Sequence, residues 1–120
     1  AVDVEAFYEA ELRTRRALLF PPYSRLIRFT VRSKEEKRAD AAIERLASLA
    51  KPLVPRDADA LGPAECPIGV IAGNFRRQLI LRGASMGPLH SAARAVLARY
   101  GKGKDSRVYL EIDVDPVSLL

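Results

Sequence analysis

Apolar positions recur along the chain with two periods, and the switches between them predict the elements. Over residues 3–19, Val4, Phe7, Tyr8 and Leu12 keep helical spacing, Asp3 can cap the start, and Arg13, Arg15 and Arg16 favour the C-terminal half. Pro21 and Pro22 stop that helix and make Phe20–Tyr23 a rigid exit. Ile27, Phe29 and Val31 then alternate with Arg28, Thr30 and Arg32, which is a strand with one apolar face. Ser33 and Glu36 have capping-box spacing ahead of a helix whose stripe is Ala39, Ala42, Ile43, Leu46, Leu49 and Ala50, with Pro52 at its end. Residues 51–67 hold four prolines and a glycine and predict a loop with a short irregular edge strand.

Two apolar-rich runs, 68–72 and 75–81, flank Gly73-Asn74 as the arms of a hairpin. In the second, Phe75, Arg77, Leu79 and Leu81 face one way, and Arg76, Gln78, Ile80 and Arg82 the other. Ser85 is placed to cap a second helix with Pro88 in its first turn, the stripe Leu89, Ala92, Ala93, Val96, Leu97 and Tyr100, and a stop at Gly101. After a charged turn, residues 107–114 read as a last strand burying Val108, Leu110, Ile112 and Val114 and turning Tyr109, Glu111 and Asp113 outward. The order after residue 22 is β-α-β-β-α-β. Two helices can cover one face of a four-stranded antiparallel sheet, so the expected class is α+β, a ferredoxin-like, ribosomal-protein-like sandwich preceded by an N-terminal helix. We therefore divide the chain into a linking helix and Pro-Pro exit at 1–22 and a domain at 23–120. The first and third strands should be central, leaving the second sheet face open with Arg28, Arg32, Arg76, Gln78, Tyr109, Glu111 and Asp113 on it.

At 120 residues, 48% hydrophobic and 29% charged, the chain is one ordinary domain and not a disordered segment. No apolar run reaches the ~20 residues of a membrane span. It opens on Ala1 without a basic-then-apolar leader and reads as a piece of something larger. Its one cysteine, Cys66, excludes an internal disulfide and a multi-cysteine zinc site, in keeping with a reducing cytoplasm. The net charge of +5 is unevenly spread. Residues 13–38 and 76–107 each carry +7, the first and last ten residues −3 each, and fifteen of the twenty cations are arginine. That distribution fits a polyanionic partner, and equally a basic surface that keeps the protein in solution.

The run Phe7-Tyr8-Glu9-Ala10-Glu11-Leu12-Arg13-Thr14-Arg15 followed by Pro21-Pro22-Tyr23-Ser24-Arg25-Leu26 resembles the segment after the second motor lobe in the primosomal protein N′ family, the bacterial replication-restart helicases. Leu61-Gly62-Pro63-Ala64, Arg76-Arg77-Gln78-Leu79 and the ending Asp113-Val114-Asp115-Pro116 resemble the same family in the same order. The resemblance implies a C-terminal α/β module that binds forked or single-stranded DNA and packs against the helicase core. It implies partners among the primosome proteins and the single-stranded-DNA-binding protein, a cytoplasmic, nucleoid-associated location, and no membrane. The family's ATP, Mg and Zn would belong to other domains. This stretch has no phosphate loop, no acidic motor motif and no zinc cysteines, so no catalysis and no cofactor are expected of it.

The DNA-binding candidates are Arg28, Arg32, Arg76, Arg77 and Arg82 on the sheet, with Lys102, Lys104 and Arg107 in the late loop. Glu111 and Asp113 on the neighbouring strand could instead neutralise Arg28 and Arg32. Phe7, Tyr8, Arg15 and Tyr23 are the candidates for docking on a neighbouring domain. Tyr109 alone is placed to stack a base, and the glycine-aromatic RNA signature is missing. His90 reads as a surface residue and Asp113 and Asp115 as structural carboxylates. An RNA-binding or ribosomal-protein-like domain shares this topology and charge and is the alternative. An acylphosphatase-like enzyme would need a glycine-rich loop where this chain has Arg32-Ser33-Lys34.

Overall fold

Six elements follow in the expected order in the computed structural model, which describes residues 23–115: β1 (Arg25–Ser33), α1 (Glu36–Ala50), β2 (Asp59–Ile71), β3 (Asn74–Gly83), α2 (Met86–Tyr100) and β4 (Tyr109–Val114). The helix expected over 3–19, with Phe7, Tyr8 and Arg15, lies outside the described residues. The strands form one antiparallel sheet in the order β2-β3-β1-β4, with β1 and β3 central. That is the ferredoxin-like arrangement.

Alternation along β1 and β3 sends Ile27, Phe29, Val31, Leu79 and Leu81 into the layer covered by the helices, where they meet Ile43 and Leu46 of α1 and Leu89 and Val96 of α2. Each such large apolar side chain contributes roughly 1.5–3 kcal/mol on burial. Alanines at 39, 42, 47, 50 and 93 let the helices lie close to the sheet and to each other. Ala47 is buried where the stripe pointed to Leu49, which is only half-buried. Val114 departs from its strand pattern and is 51% exposed, because it ends an edge strand beyond the reach of the helices.

Neither predicted helix cap forms. Ser33 is still the last residue of β1, and its Oγ accepts from the Glu35 N–H at 3.2 Å instead of reaching into α1. Ser85 stands at the start of α2 without a side-chain cap bond. The hairpin turn sits one residue earlier than Gly73-Asn74. Ile71 pairs with Asn74, and the loop is Ala72-Gly73 with φ of 51° and 77°. Positive φ at both central residues matches the right-handed twist of the flanking strands. β2 is also longer than a short edge strand. It runs thirteen residues, interrupted by register shifts between Leu61 and Ala64 and between Glu65 and Val70, which let prolines at 63 and 67 sit in it.

The first of those shifts explains the Leu61-Gly62-Pro63-Ala64 turn. Gly62 has φ of +117°, and a Cβ there would lie 2.9 Å from the Gln78 carbonyl oxygen of the adjacent strand. Gly62→Ala should therefore lower stability by about 1–3 kcal/mol, the cost of a side chain in a sparsely allowed backbone region against fixed neighbours. Urea unfolding checks this, and an unchanged midpoint would mean that β2 can straighten at no cost.

Candidate nucleic-acid interface

The second face of the sheet is built in cross-strand rows. Tyr109, Arg32 and Arg76 form one row, Glu111, Thr30 and Gln78 the next, and Asp113, Arg28 and Ile80 the third. This face is not open along its middle, contrary to expectation. Leu26 and Ile80 are buried and Leu61 packs against them, a second apolar cluster apart from the main core. Arg28, Thr30 and Cys66 are each less than a tenth exposed. Burial pushes the Cys66 thiol up, a shift that the nearby Arg76, Arg28 and Arg77 oppose.

The arginines of β1 meet acids whether buried, as Arg28 is, or nearly half exposed, as Arg25 and Arg32 are. Arg28 Nη2 reaches Asp113 at 3.1 Å, Arg32 Nη1 lies 3.6 Å from Glu111, and Arg25 Nε donates to Asp115 at 2.7 Å. Three arginines of β1 thus meet the three acids at the end of the chain. Asp115, at φ of 46°, also accepts from the Leu26 N–H at 2.9 Å and donates its own N–H to the Leu26 carbonyl at 2.7 Å. Asp115, through its carboxylate and its backbone, thus holds the end of β4 to the start of β1.

The remaining sheet candidates are also engaged. Arg82 pairs with Asp59 at 3.0 Å and lies over the Tyr23 ring at 4.2 Å, so Tyr23 packs within this domain. Arg76 donates from Nη1 to the Ile68 carbonyl at 2.9 Å. Arg77 points to the helix side, only 11% exposed in its side chain, and binds Asp40 at 2.8 Å and Glu36 at 3.5 Å.

The exposed cations lie elsewhere. Lys102, Lys104 and Arg107 project from the loop before β4, and Lys34 from the end of β1. Their scaffold uses residues that the sequence reading did not single out. Arg45 of α1 donates to the carbonyls of Arg99, Tyr100 and Lys102 at 3.1, 2.9 and 2.6 Å, closing the C-terminal end of α2. Arg38 binds Glu35 and, through Nη1, Asp105 at 2.6 Å. Asp105 accepts from the Arg107 N–H at 2.9 Å. That backbone bond, with the Arg38 guanidinium second, holds the Asp105 carboxyl below the usual carboxylate range. A signal for it was present: Asp105 is the single acid among residues 76–107.

So anchored, Arg107 stands beside Arg32, Lys34, Asn74 and Tyr109 around an open depression of about 620 Å³ at one end of the sheet. The Arg32 guanidinium lies 4.4 Å over the Tyr109 ring. His90 is exposed, and no group of three His, Cys, Asp or Glu side chains among the described residues could hold a metal ion. No helix among the described residues is long and apolar enough to cross a membrane.

A family model described as the primosomal protein N C-terminal domain matches residues 16–117. The replication restart protein PriA of Treponema pallidum is 42% identical over 118 residues, 98% of this chain and 18% of that protein. The replication restart protein PriA of Synechocystis is 34% identical over 117 residues, 98% of this chain and 14% of that protein. The chain therefore spans about a sixth of the length of these curated relatives. Among solved structures, the de novo designed protein Foldit4 superposes with a TM-score of 0.57 at 12% identity, over 77% of this chain and 96% of that one, a likeness of fold alone.

The rows predict unequal costs for two neighbouring acids. Asp113→Ala strands the Arg28 guanidinium, 9% exposed, without its acid and should cost about 1–3 kcal/mol. Glu111→Ala breaks a pair that is about half exposed on both sides and should cost ~0–1 kcal/mol. Denaturant unfolding of the two variants checks this, and equal losses would show that burial of Arg28 does not depend on its partner.

Proposed function

The chain belongs to the primosomal protein N C-terminal domain family, and from that premise we propose that it is the DNA-binding and domain-docking module of a replication-restart helicase. It holds forked or single-stranded DNA electrostatically and packs against the helicase core, with residues 1–22 as the link. It has no hydrolytic chemistry of its own. ATP, Mg and Zn act in other domains of the parent protein, and its further partners are primosome proteins and the single-stranded-DNA-binding protein, in the nucleoid-associated cytoplasm.

One observation supports this reading above the others. All five lysines are exposed, and among the described residues none enters an ion pair, while each of the nine ion pairs uses an arginine. Lys102, Lys104 and Arg107 before β4, with Lys34 and Arg32 at the end of β1, form one group of exposed cations, while Lys37, Lys51, Arg56, Arg94 and Arg99 are exposed on the helices and the loop after α1. Arg28, Arg77 and Arg82 act inside the fold, so the DNA-facing set is smaller than the arginine count implies. Phosphate contacts of this kind position nucleic acid without reading its sequence.

With roughly two to four phosphates neutralised, the log–log dependence of affinity on salt should have a slope of about −2 to −4. Lys102→Ala with Lys104→Ala should weaken binding to every sequence and reduce that slope by about 2, with the melting temperature unchanged. Fluorescence anisotropy on a labelled fork, a single strand and a structured RNA at matched salt tests it. Binding that ignores salt would count against the lysine loop, and preference for the RNA would favour a ribosomal-protein-like role.

A further inference from the structure

We propose that the depression bounded by Arg32, Lys34, Asn74, Arg107 and Tyr109 is a single-base site for unpaired DNA, in which one base joins the Arg32–Tyr109 stack while its phosphates meet Arg107 and Lys34. This rests on the DNA-binding reading and adds to it a contact that charge alone does not supply.

Tyr109 is the most exposed large hydrophobic side chain among the described residues, at 58%. An aromatic so open on an edge strand contributes little to the core, yet its orientation is held. Arg32 covers it at 4.4 Å and is itself held by Glu111 at 3.6 Å. Aromatic rings and guanidinium planes are the two surfaces on which unpaired bases stack, and stacking tolerates any base because each has a π-face. A base in a duplex already has both faces covered, so the site selects single strands.

The rest of the lining suits a nucleotide. Arg107 is 68% exposed in its side chain, and its backbone is tied to Asp105, so the cation has a fixed origin and a solvent-exposed guanidinium that, among the described residues, only the distant Glu35 meets. Lys34 is exposed at the rim, and Asn74, whose Nδ2 donates to the Ile71 and Ala72 carbonyls at 3.5 and 3.4 Å, presents its side-chain oxygen to a base edge. Glu35 is the one acid of the lining and stands 3.8 Å from Arg107, which leaves the depression net positive. A volume of about 620 Å³ lies in the usual range of small-ligand sites. Its openness fits a strand passing through better than an enclosed small molecule.

The test compares two labelled twelve-nucleotide strands bound to the 120-residue chain, one of thymidines and one with the same backbone carrying abasic sugars. The base-bearing strand should bind about 5- to 100-fold more tightly, as one stacked base allows. Tyr109→Ala should remove that advantage and leave both the abasic affinity and the salt slope unchanged, while Tyr109→Phe retains it. Arg107→Ala should weaken both strands alike and reduce the slope by about 1. Equal affinity for the two strands, or a Tyr109→Ala variant that binds thymidines normally or loses both strands equally, would overturn the base site while leaving electrostatic binding in place. Failure of the unaltered chain to bind either strand would instead overturn the DNA-binding reading itself.

Discussion

The domain depends on the burial of β1 on both of its faces. As a central strand it places Ile27, Phe29 and Val31 under the helices, and every second residue between them enters a face that is also shielded. An arginine at 28 survives there only because β4 presents Asp113 directly across the pair. Arg32 with Glu111 and Arg25 with Asp115 repeat the pairing where the arginines are nearly half exposed and it contributes less. A register slip of one residue would turn these carboxylates toward Phe29 and Val31, so charge adds to hydrophobicity in setting the pairing of β1 with β4. The acid-rich end of the chain is thereby a register device. Asp113 and Asp115 resemble a catalytic pair only in sequence, since each oxygen that matters already has a structural partner.

This neutralisation moves the usable charge along the molecule. Residues 13–38 carry +7 by count, yet from residue 25 onward Arg25, Arg28 and Arg32 are matched by the −3 of the last ten residues, and Arg38 by Glu35 and Asp105. The second +7 segment loses Arg77 to α1 and Arg82 to β2 in the same way. What stays outward is the loop before β4, the end of β1 and single cations on the helices, Lys37, Arg94 and Arg99. Net charge fits a polyanionic partner; only the pairing across strands shows which cations are already matched within the fold.

How far the fold was legible follows from the range of the interactions involved. Alternation in β1 and β4 and the stripes of both helices are local periodicities, and with the hairpin signal they placed β1, β3, β4 and both helices, from which the usual ferredoxin-like strand order follows. Local hydrogen bonding was less legible. Ser33 has the spacing of a cap but is claimed by the strand, whose pairing of Ser33 with Phe75 extends the sheet past the apolar run. Prolines hid β2, because the shifts that accommodate them break the period-two pattern. The cluster of Leu26, Leu61 and Ile80 was illegible for another reason: its members are brought together across three strands, and no spacing along the chain marks them. The site divides likewise. Tyr109 and Arg107 could be placed outward by alternation and loop composition, whereas Arg38 with Asp105, and Arg32 over Tyr109, join residues 67 and 77 positions apart.

The two kinds of cation consequently do different work. Arginine has a planar fork that can satisfy several acceptors at once, which suits Arg45 on three carbonyls and Arg77 between two acids. Lysine is a compact, strongly hydrated charge that loses more by being fixed in place, and here all five remain in water. A partner that meets this surface therefore feels a diffuse lysine field, screened by salt, and beside it one ordered arginine–tyrosine stack that salt leaves largely intact. The proposed DNA contacts thereby divide affinity and discrimination between different residues. In the proposed mode of binding, salt weakens the lysine contacts while the stack still distinguishes unpaired bases, because the lysines and the Arg32–Tyr109 pair are separate groups.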